Sequence, residues 1–336
     1  MKRTVKNIEL LKNFVSISAQ SFTETALDIF NFQYRQNPVY NQFCNALHID
    51  STKINDINHI PFLPIDFFKT HSIATTPFEP AVIFESSGTT KTTNSKHRIK
   101  DISLYQQSFT TTFNLFYGNT TEWCILALLP SYLERNNSSL VMMADKLIHQ
   151  SQHQKSGFYL NDLQQLSNTL IELEKQKQKT LLIGVTFALL DFAEQYPMHL
   201  HNTTIMETGG MKGRRKEMTR QEVHHILCHH FKVDKIHSEY GMTELLSQAY
   251  SKSDGIFNCP QWMKILIRED DDPLSVREAD KHNIITGAVN VIDLANIYSC
   301  SFIATDDAGK LYPDESFEII GRLDNSDIRG CSLLAL

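Results

Sequence analysis

Between residues 123 and 240 the sequence alternates short unbroken apolar runs with longer stretches whose apolar residues recur at helical spacing. No other feature constrains the fold as strongly. The runs are WCILALL from Trp123, LLIGV from Leu181 and TTIMETGG from Thr203. Around them lie segments spanning Leu140 to Ile148 and Phe187 to Gln195, and one carrying Leu160, Leu163, Leu166, Leu170 and Leu173. A strand with one wet face alternates apolar and polar residues; a strand apolar throughout is buried on both faces, as in a parallel sheet covered by helices on each side. An α/β fold follows. Thr219 and Glu222 form a capping box for a further helix ending near Phe231, and Lys235 to Ser238 leads into YGMTE.

The flanks read differently. From Ile8 to Arg35 the spacing is helical, with Leu27, Phe30 and Tyr34 on one stripe and Pro38 just beyond. Ala81 to Glu85 (AVIFE) has the composition of a buried strand, opening into the polar loop SSGTTKTTNSKH, and Asp101 can cap a helix reaching about Tyr117. Past about residue 255, short runs such as WMKILIRE, VNVIDL, SFIAT and FEIIGR are separated by turns. At ~150 residues per domain, 336 residues make about two. We divide them into 1–255, a helical segment plus α/β core, and 256–336, a smaller strand-rich lobe.

Charge and cysteine usage narrow the function classes. A net charge of -6 gives no general attraction to nucleic acid, and the longest apolar stretch, Leu181 to Leu190, is half of the ~20 residues a membrane span needs. Neither a span nor an export signal is expected. The 6 cysteines include no CxxC pair, so neither a disulfide framework nor a zinc ribbon is expected and a reducing cytoplasm suits them. In HHILCHH, His225 and His229 share one helix face and His224 and Cys228 another, without further ligands; this reads as a helix face packed on the sheet rather than a metal site.

Four loops carry chemistry. Ser86, Ser87, Gly88, Thr89 and Thr90 offer hydroxyls and a glycine-loosened backbone to phosphate oxygens, without the Walker A ending; the same composition also makes a plain solvated loop. In YGMTE, Tyr240 can stack an adenine, Gly241 permits close approach, and Thr243 and Glu244 supply a hydroxyl and a magnesium-type carboxylate. Its alternative is a strand-to-helix turn capped by Thr243. Asp306 and Asp307, at a strand end in ATDDAG, can bond ribose hydroxyls or form a turn, and GRLDNSDIRGC brings Arg322. Neither Glu244 nor Asp307 is expected in the core.

In this order the strings resemble the adenylate-forming superfamily of acyl-CoA synthetases, luciferases and peptide-synthetase adenylation domains. SSGTT is similar to its phosphate loop, ETGGMKG to its glycine turn near the adenine, YGMTE to its adenine and magnesium motif, TDD to its ribose aspartate and GRLD to its hinge. Longer strings, including FQYRQNPVY, IPFLPIDFFKTH, LLPSYLERNNSSL and HSEYGMTELLSQAY, resemble the acyl-protein synthetases, the fatty-acid-activating subunits of bacterial luciferase-linked fatty acid reductase complexes, from Phe30 to Cys331.

The resemblance implies activation of a fatty acid or another small carboxylic acid with ATP and Mg2+, then transfer to a cysteine thiol. An acyl acceptor protein, reductase or carrier protein would be the partner. Ser86, Ser87, Gly88, Thr89 and Thr90 would grip the phosphates, Gly209, Gly210, Tyr240 and Gly241 would line the adenine, and Thr243 would meet the α-phosphate. Glu244 would ligate magnesium, Asp307 would hold the ribose with Arg322 nearby, and Cys331 would receive the acyl group. Lys91 stands where the superfamily loop has glycine, and no proline follows, so the resemblance leaves open whether Lys91 or Lys96 reaches phosphate. Only five residues follow Cys331, so the superfamily's mobile C-terminal domain is expected to be lacking, as in the acyl-protein synthetases. Two other classes fit the same residues: an ATP-independent acyltransferase fed by a carrier thioester, and a silent nucleotide- or acyl-binding protein.

Overall fold

The computed structural model describes residues 12–86, 93–130, 137–209, 218–269, 272 and 274–323. The helices, in chain order, are α1 (Ala19–Gln36), α2 (Pro38–Ala46), α3 (Phe67–Thr70), α4 (Ile102–Tyr117), α5 (Ser139–Ser151), α6 (Leu163–Lys175), α7 (Thr186–Gln195) and α8 (Arg220–Phe231). The strands are β1 (Leu63–Pro64), β2 (Val82–Glu85), β3 (Lys96–Ile99), β4 (Cys124–Leu128), β5 (Gly157–Phe158), β6 (Thr180–Val185), β7 (Thr203–Thr208), β8 (His237–Tyr240), β9 (Ala249–Ser251), β10 (Ile256–Asn258), β11 (Met263–Arg268), β12 (Val276–Arg277), β13 (Ile285–Asp293), β14 (Phe302–Leu311) and β15 (Phe317–Arg322). The chain divides into two compact units, residues 1–111, 242–248 and 258–336 in the first and 112–241 and 249–257 in the second.

The second unit is built on β5-β4-β6-β7-β8, all parallel, continued by β9, antiparallel to β8, and then β10. Every residue of β4 and β6 is buried, the outcome expected of continuous apolar strands with helices on both faces. Leucines 166, 170 and 173 of α6 face inward, and Asp162 caps that helix by accepting from Gln165 N at 2.8 Å. Leu160 lies ahead of it. The Thr219–Glu222 capping box is present at the start of α8. The buried face of α8 is Val223, Leu227 and Phe231, whereas His225 and His229 are exposed. The expectation that the latter pair packs on the sheet is therefore corrected, whereas His224 Nε2 lies 3.4 Å from Ser238 Oγ of β8.

The first unit contains the antiparallel order β12-β11-β13-β14-β15, with β1 added parallel to β14. Phe302 at the start of β14 gathers Phe30, Tyr40 and Phe62, each with its ring centroid 6.2 Å away. Gln33 of α1 is fully buried among them, donating to Asn296 O (2.9 Å) and accepting from Ser301 N (2.9 Å), which ties α1 to the β13–β14 connection. The single helical segment expected from Ile8 breaks at Ile17, whose backbone is extended; Ser18 and Ser21 then form a capping box for α1.

Three local expectations change. β2 is not a buried strand but half of an antiparallel pair with β3, with Phe84 alone of its four residues fully buried. No helix follows YGMTE, since residues 243 and 244 form a turn that leads on to β9. Asp306 and Asp307 lie within β14 rather than at its end or in a turn. Between the pairs Ala288–Ala308 and Asn290–Ala304, residues 305, 306 and 307 stand against the single Val289. A bulge of this kind kinks the strand and re-aims its side chains.

Candidate active site

In the first unit the segment 242–248 makes no strand pairs and is held by buried side chains instead. His97 Nδ1 donates to Thr243 O at 2.8 Å, and Asn296 Nδ2 donates to Glu244 O at 2.8 Å. Asp293, fully buried at the end of β13, accepts from Leu246 N (2.8 Å), Ser247 N (3.0 Å), Ser247 Oγ (2.6 Å) and Ala295 N (3.1 Å). Ser247 Oγ also lies 3.0 Å from Trp262 Nε1 and from Ser108 Oγ. Burial pushes the imidazole of His97 down to about 4, so it is neutral, and a ring donating from Nδ1 carries its free lone pair on Nε2. That Nε2 is buried and unpartnered.

So fixed, Glu244 is only 5% exposed, contrary to the expectation that it lies outside the core. Burial raises its pKa, while a hydrogen bond with Ser95 and the charges of Lys69 and Arg322 work the other way. Asp307, 9% exposed, faces Arg322 across β14 and β15, and the guanidinium Nε is 3.6 Å from Oδ1. Asp306 is raised by burial and by neighbouring Asp66, and lowered by Arg322 and Lys69. The bulge on β14 and the turn at 243–244 thus bring Glu244, Asp306, Asp307 and Arg322 into one charge cluster with Asp66 and Lys69. Of these, Glu244, Asp306, Asp307 and Arg322 are residues singled out in the sequence; Asp66 and Lys69, which lie in the string IPFLPIDFFKTH, and Ser95, in the hydroxyl loop, are additions to which the motifs give no role.

Ser86 closes the base of the hydroxyl loop: Ser95 N donates to its Oγ at 2.9 Å, and its own N donates to Ser95 O at 3.1 Å. Ser87, Gly88, Thr89, Thr90 and Lys91 lie outside the described residues, as do Gly210 and Cys331. Lys96 pairs with Glu85 at 3.6 Å across β2 and β3.

The second unit presents its own set at the carboxyl ends of β6, β7 and β8, the edge at which open parallel sheets bind ligands. Gly209 follows β7 with φ +72, a left-handed conformation that suits glycine, and its carbonyl accepts from Thr186 Oγ1 at 2.8 Å. Tyr240 is buried, its ring 5.9 Å from Phe257, and Gly241 is exposed. Two carboxylates missed in the sequence stand beside them. Burial would raise Glu207, but His224, Arg220 and Ser238 outweigh it and hold it below the usual range. Glu239, fully enclosed, accepts from Thr208 Oγ1 at 2.5 Å and is pushed up to about 7 by burial. Neighbouring strands therefore carry one carboxylate held ionised and one poised near neutrality.

Among the described residues no three His, Cys, Asp or Glu side chains converge as a metal cage. A lone buried carboxylate still fits magnesium, which takes one or two carboxylates and draws its other ligands from phosphates and water. No helix among the described residues is long and apolar enough to cross a membrane.

The model of the LuxE acyl-protein synthetase family matches residues 17–335. The chain belongs to that family. Among solved structures it is similar to ATP-bound MatB from Rhodopseudomonas palustris, at 12% identity and a TM-score of 0.53, covering 74% of this chain and 50% of that one. It is also similar to the ATP-bound RpMatB–BxBclM chimera B3, at 13% identity and a TM-score of 0.51, covering 74% and 49%. The chain spans about half the length of these structures. The fold is the adenylate-forming one expected from the ordered motifs. A search of curated proteins returns no match.

Proposed function

We propose that this acyl-protein synthetase family member activates a long-chain fatty acid with ATP as an acyl-adenylate and passes the acyl group to a cysteine thiol, Cys331. The observation that carries this reading is the convergence of Glu244, Asp307 and Arg322, drawn from three separate strings onto one cluster of the first unit. A substrate carboxylate oxygen attacks the α-phosphorus of ATP, the bond to the β-phosphate oxygen breaks, and pyrophosphate leaves. A thiolate then attacks the acyl carbonyl; the C–O bond to AMP breaks and a thioester remains.

Negative charge gathers on the α-phosphoryl oxygens in the first step, and preorganised cations and donors lower its cost. Glu244 is the residue to hold magnesium, which when bound supplies charge neutralisation to the phosphates. Asp307, steadied by Arg322, is suited to accept from ribose hydroxyls. Ser86, Ser87, Gly88, Thr89, Thr90 and Lys91 are assigned to the phosphates, Thr243 to the α-phosphate, and Gly209, Gly210, Tyr240 and Gly241 to the adenine. Fatty acid is the substrate in this reading and a reductase or carrier protein the onward acceptor.

The test is ATP–pyrophosphate exchange across a panel of aliphatic and aromatic acids with magnesium present. Exchange that depends on added acid and favours long aliphatic chains is expected. A flat response from folded protein overturns the reading, and acyl transfer from a carrier thioester without ATP would replace it with the acyltransferase one.

A further inference from the structure

The six-residue cluster contains a cation, Lys69, to which the motifs assign no role. Leu63 and Pro64 of β1 pair with Ile303 and Ala304 of β14, and Ile65 N donates to Ala304 O at 2.9 Å. This carries Asp66 to the bulge at 305–307. Two residues on, Phe68 is buried edge-on to His97 with ring centroids 5.6 Å apart, and it is His97 that holds the carbonyl next to Glu244. Residues 66–69 are therefore pinned at one end to the bulge and at the other to the Glu244 turn. Lys69 sits where its charge acts on both Glu244 and Asp306.

The cluster holds four carboxylates, Asp66, Glu244, Asp306 and Asp307, against two cations, Lys69 and Arg322. A polyphosphate entering such a deficit needs a cation that can be released to it. Arg322 faces Asp307, a partner only 12% exposed. Lys69 instead touches Asp66, Nζ to Oδ1 2.6 Å, with side chains 39% and 62% exposed. Exposed pairs of this kind contribute little, and a lysine on its flexible stem re-aims readily. We propose that Lys69 is a phosphate-binding cation of this site, held in reserve by Asp66 and released to the anionic end of a nucleoside triphosphate. The proposal rests on the ATP-dependent reading above and adds to it a residue of the string IPFLPIDFFKTH to which the resemblance assigns no role.

Calorimetric titration of the full chain with Mg2+–ATP and, separately, with adenosine tests it. Lys69→Gln is expected to weaken ATP by about tenfold or more, the loss of one charge-assisted contact, and to leave adenosine unchanged. Lys69→Arg should keep most of the ATP affinity. Asp66→Asn, by removing the competing carboxylate, should tighten ATP several-fold. A merely structural ion pair would move both variants in the same direction or leave the ATP-to-adenosine ratio unchanged, and either result overturns the proposal. Wild type that binds ATP with Lys69→Gln as its equal overturns the Lys69 assignment alone. Wild type that binds no ATP overturns the nucleotide-dependent reading and this inference with it.

Discussion

Glu239 shows how burial sets the behaviour of a single side chain. Burial raises its pKa to about 7; the Thr208 hydroxyl lowers it, and the nearby charge of Glu207 raises it again. The folded state therefore keeps its proton where the unfolded chain, titrating in the ordinary carboxylate range, has lost it. Stability tied to this group is present in acid and is lost as pH rises from the ordinary range through about 7. Glu239→Gln keeps an acceptor for Thr208 and removes the titration. In urea unfolding at pH 5 and pH 8, the variant should gain on wild type by on the order of 3 kcal/mol at pH 8 and by much less at pH 5. An equal difference at both pH values would mean that Glu239 titrates as an ordinary carboxylate. His97 and His237, both lowered to about 4 by burial, act in the opposite direction, since stability tied to a neutral buried imidazole is lost as pH falls from ~6.5 toward 4. Comparing variant with wild type cancels their effect.

Among elements, the segment 242–248 is the least conventional, since its backbone is satisfied by side chains from outside it. Asp293 alone accepts three hydrogen bonds from it and a fourth from Ala295 N, two through each oxygen. An amide in its place turns one accepting oxygen into a donor and strands the groups that faced it, and a buried unsatisfied group costs ~1–3 kcal/mol. Asp293→Asn should lose about 2–4 kcal/mol in chemical denaturation, with faster hydrogen exchange at Leu246 and Ser247. Wild-type stability and protection would show that the turn is held by its neighbours instead. The same segment marks the limit of what the sequence discloses. β4 and β6 are legible because burial on both faces leaves a contiguous apolar run, and the start of α8 is legible because capping is a bond between residues three apart. The bulge at Thr305 to Asp307 depends on the register with Val289, and the clamp on Glu244 on His97, Asp293 and Asn296, far away in the chain. Local pattern cannot carry those contacts, so Glu244 and Asp307 read as loop residues although both are buried. Glu207 and Glu239 sit inside quoted strings, yet their opposite environments come from separate elements, α8 with Ser238 on one side and Thr208 of β7 on the other.

At the scale of the whole molecule the proposed reaction turns on which thiol takes the acyl group. A thiol accepts it as thiolate, so the acceptor needs exposure or a neighbour that lowers its pKa. The five described cysteines have neither advantage to a useful degree. Burial lifts Cys44 to about 12 and Cys124 to about 11, and raises Cys228, Cys259 and Cys300 as well. Cys331, outside the described residues, is the thiol assigned by family resemblance. Labelled fatty acid with ATP and magnesium should then leave a label on the chain that neutral hydroxylamine removes, since hydroxylamine cleaves thioesters. Cys331→Ser should abolish that label and leave pyrophosphate exchange largely intact, because adenylation precedes thiol attack. A label that persists in the variant assigns the acceptor role to another thiol, with Cys228 and Cys259 the first to replace because neither is fully enclosed by its neighbours. Robust exchange without any label on wild type would mean that the adenylate is consumed directly by an external nucleophile, and the cysteine step would be removed from the reaction.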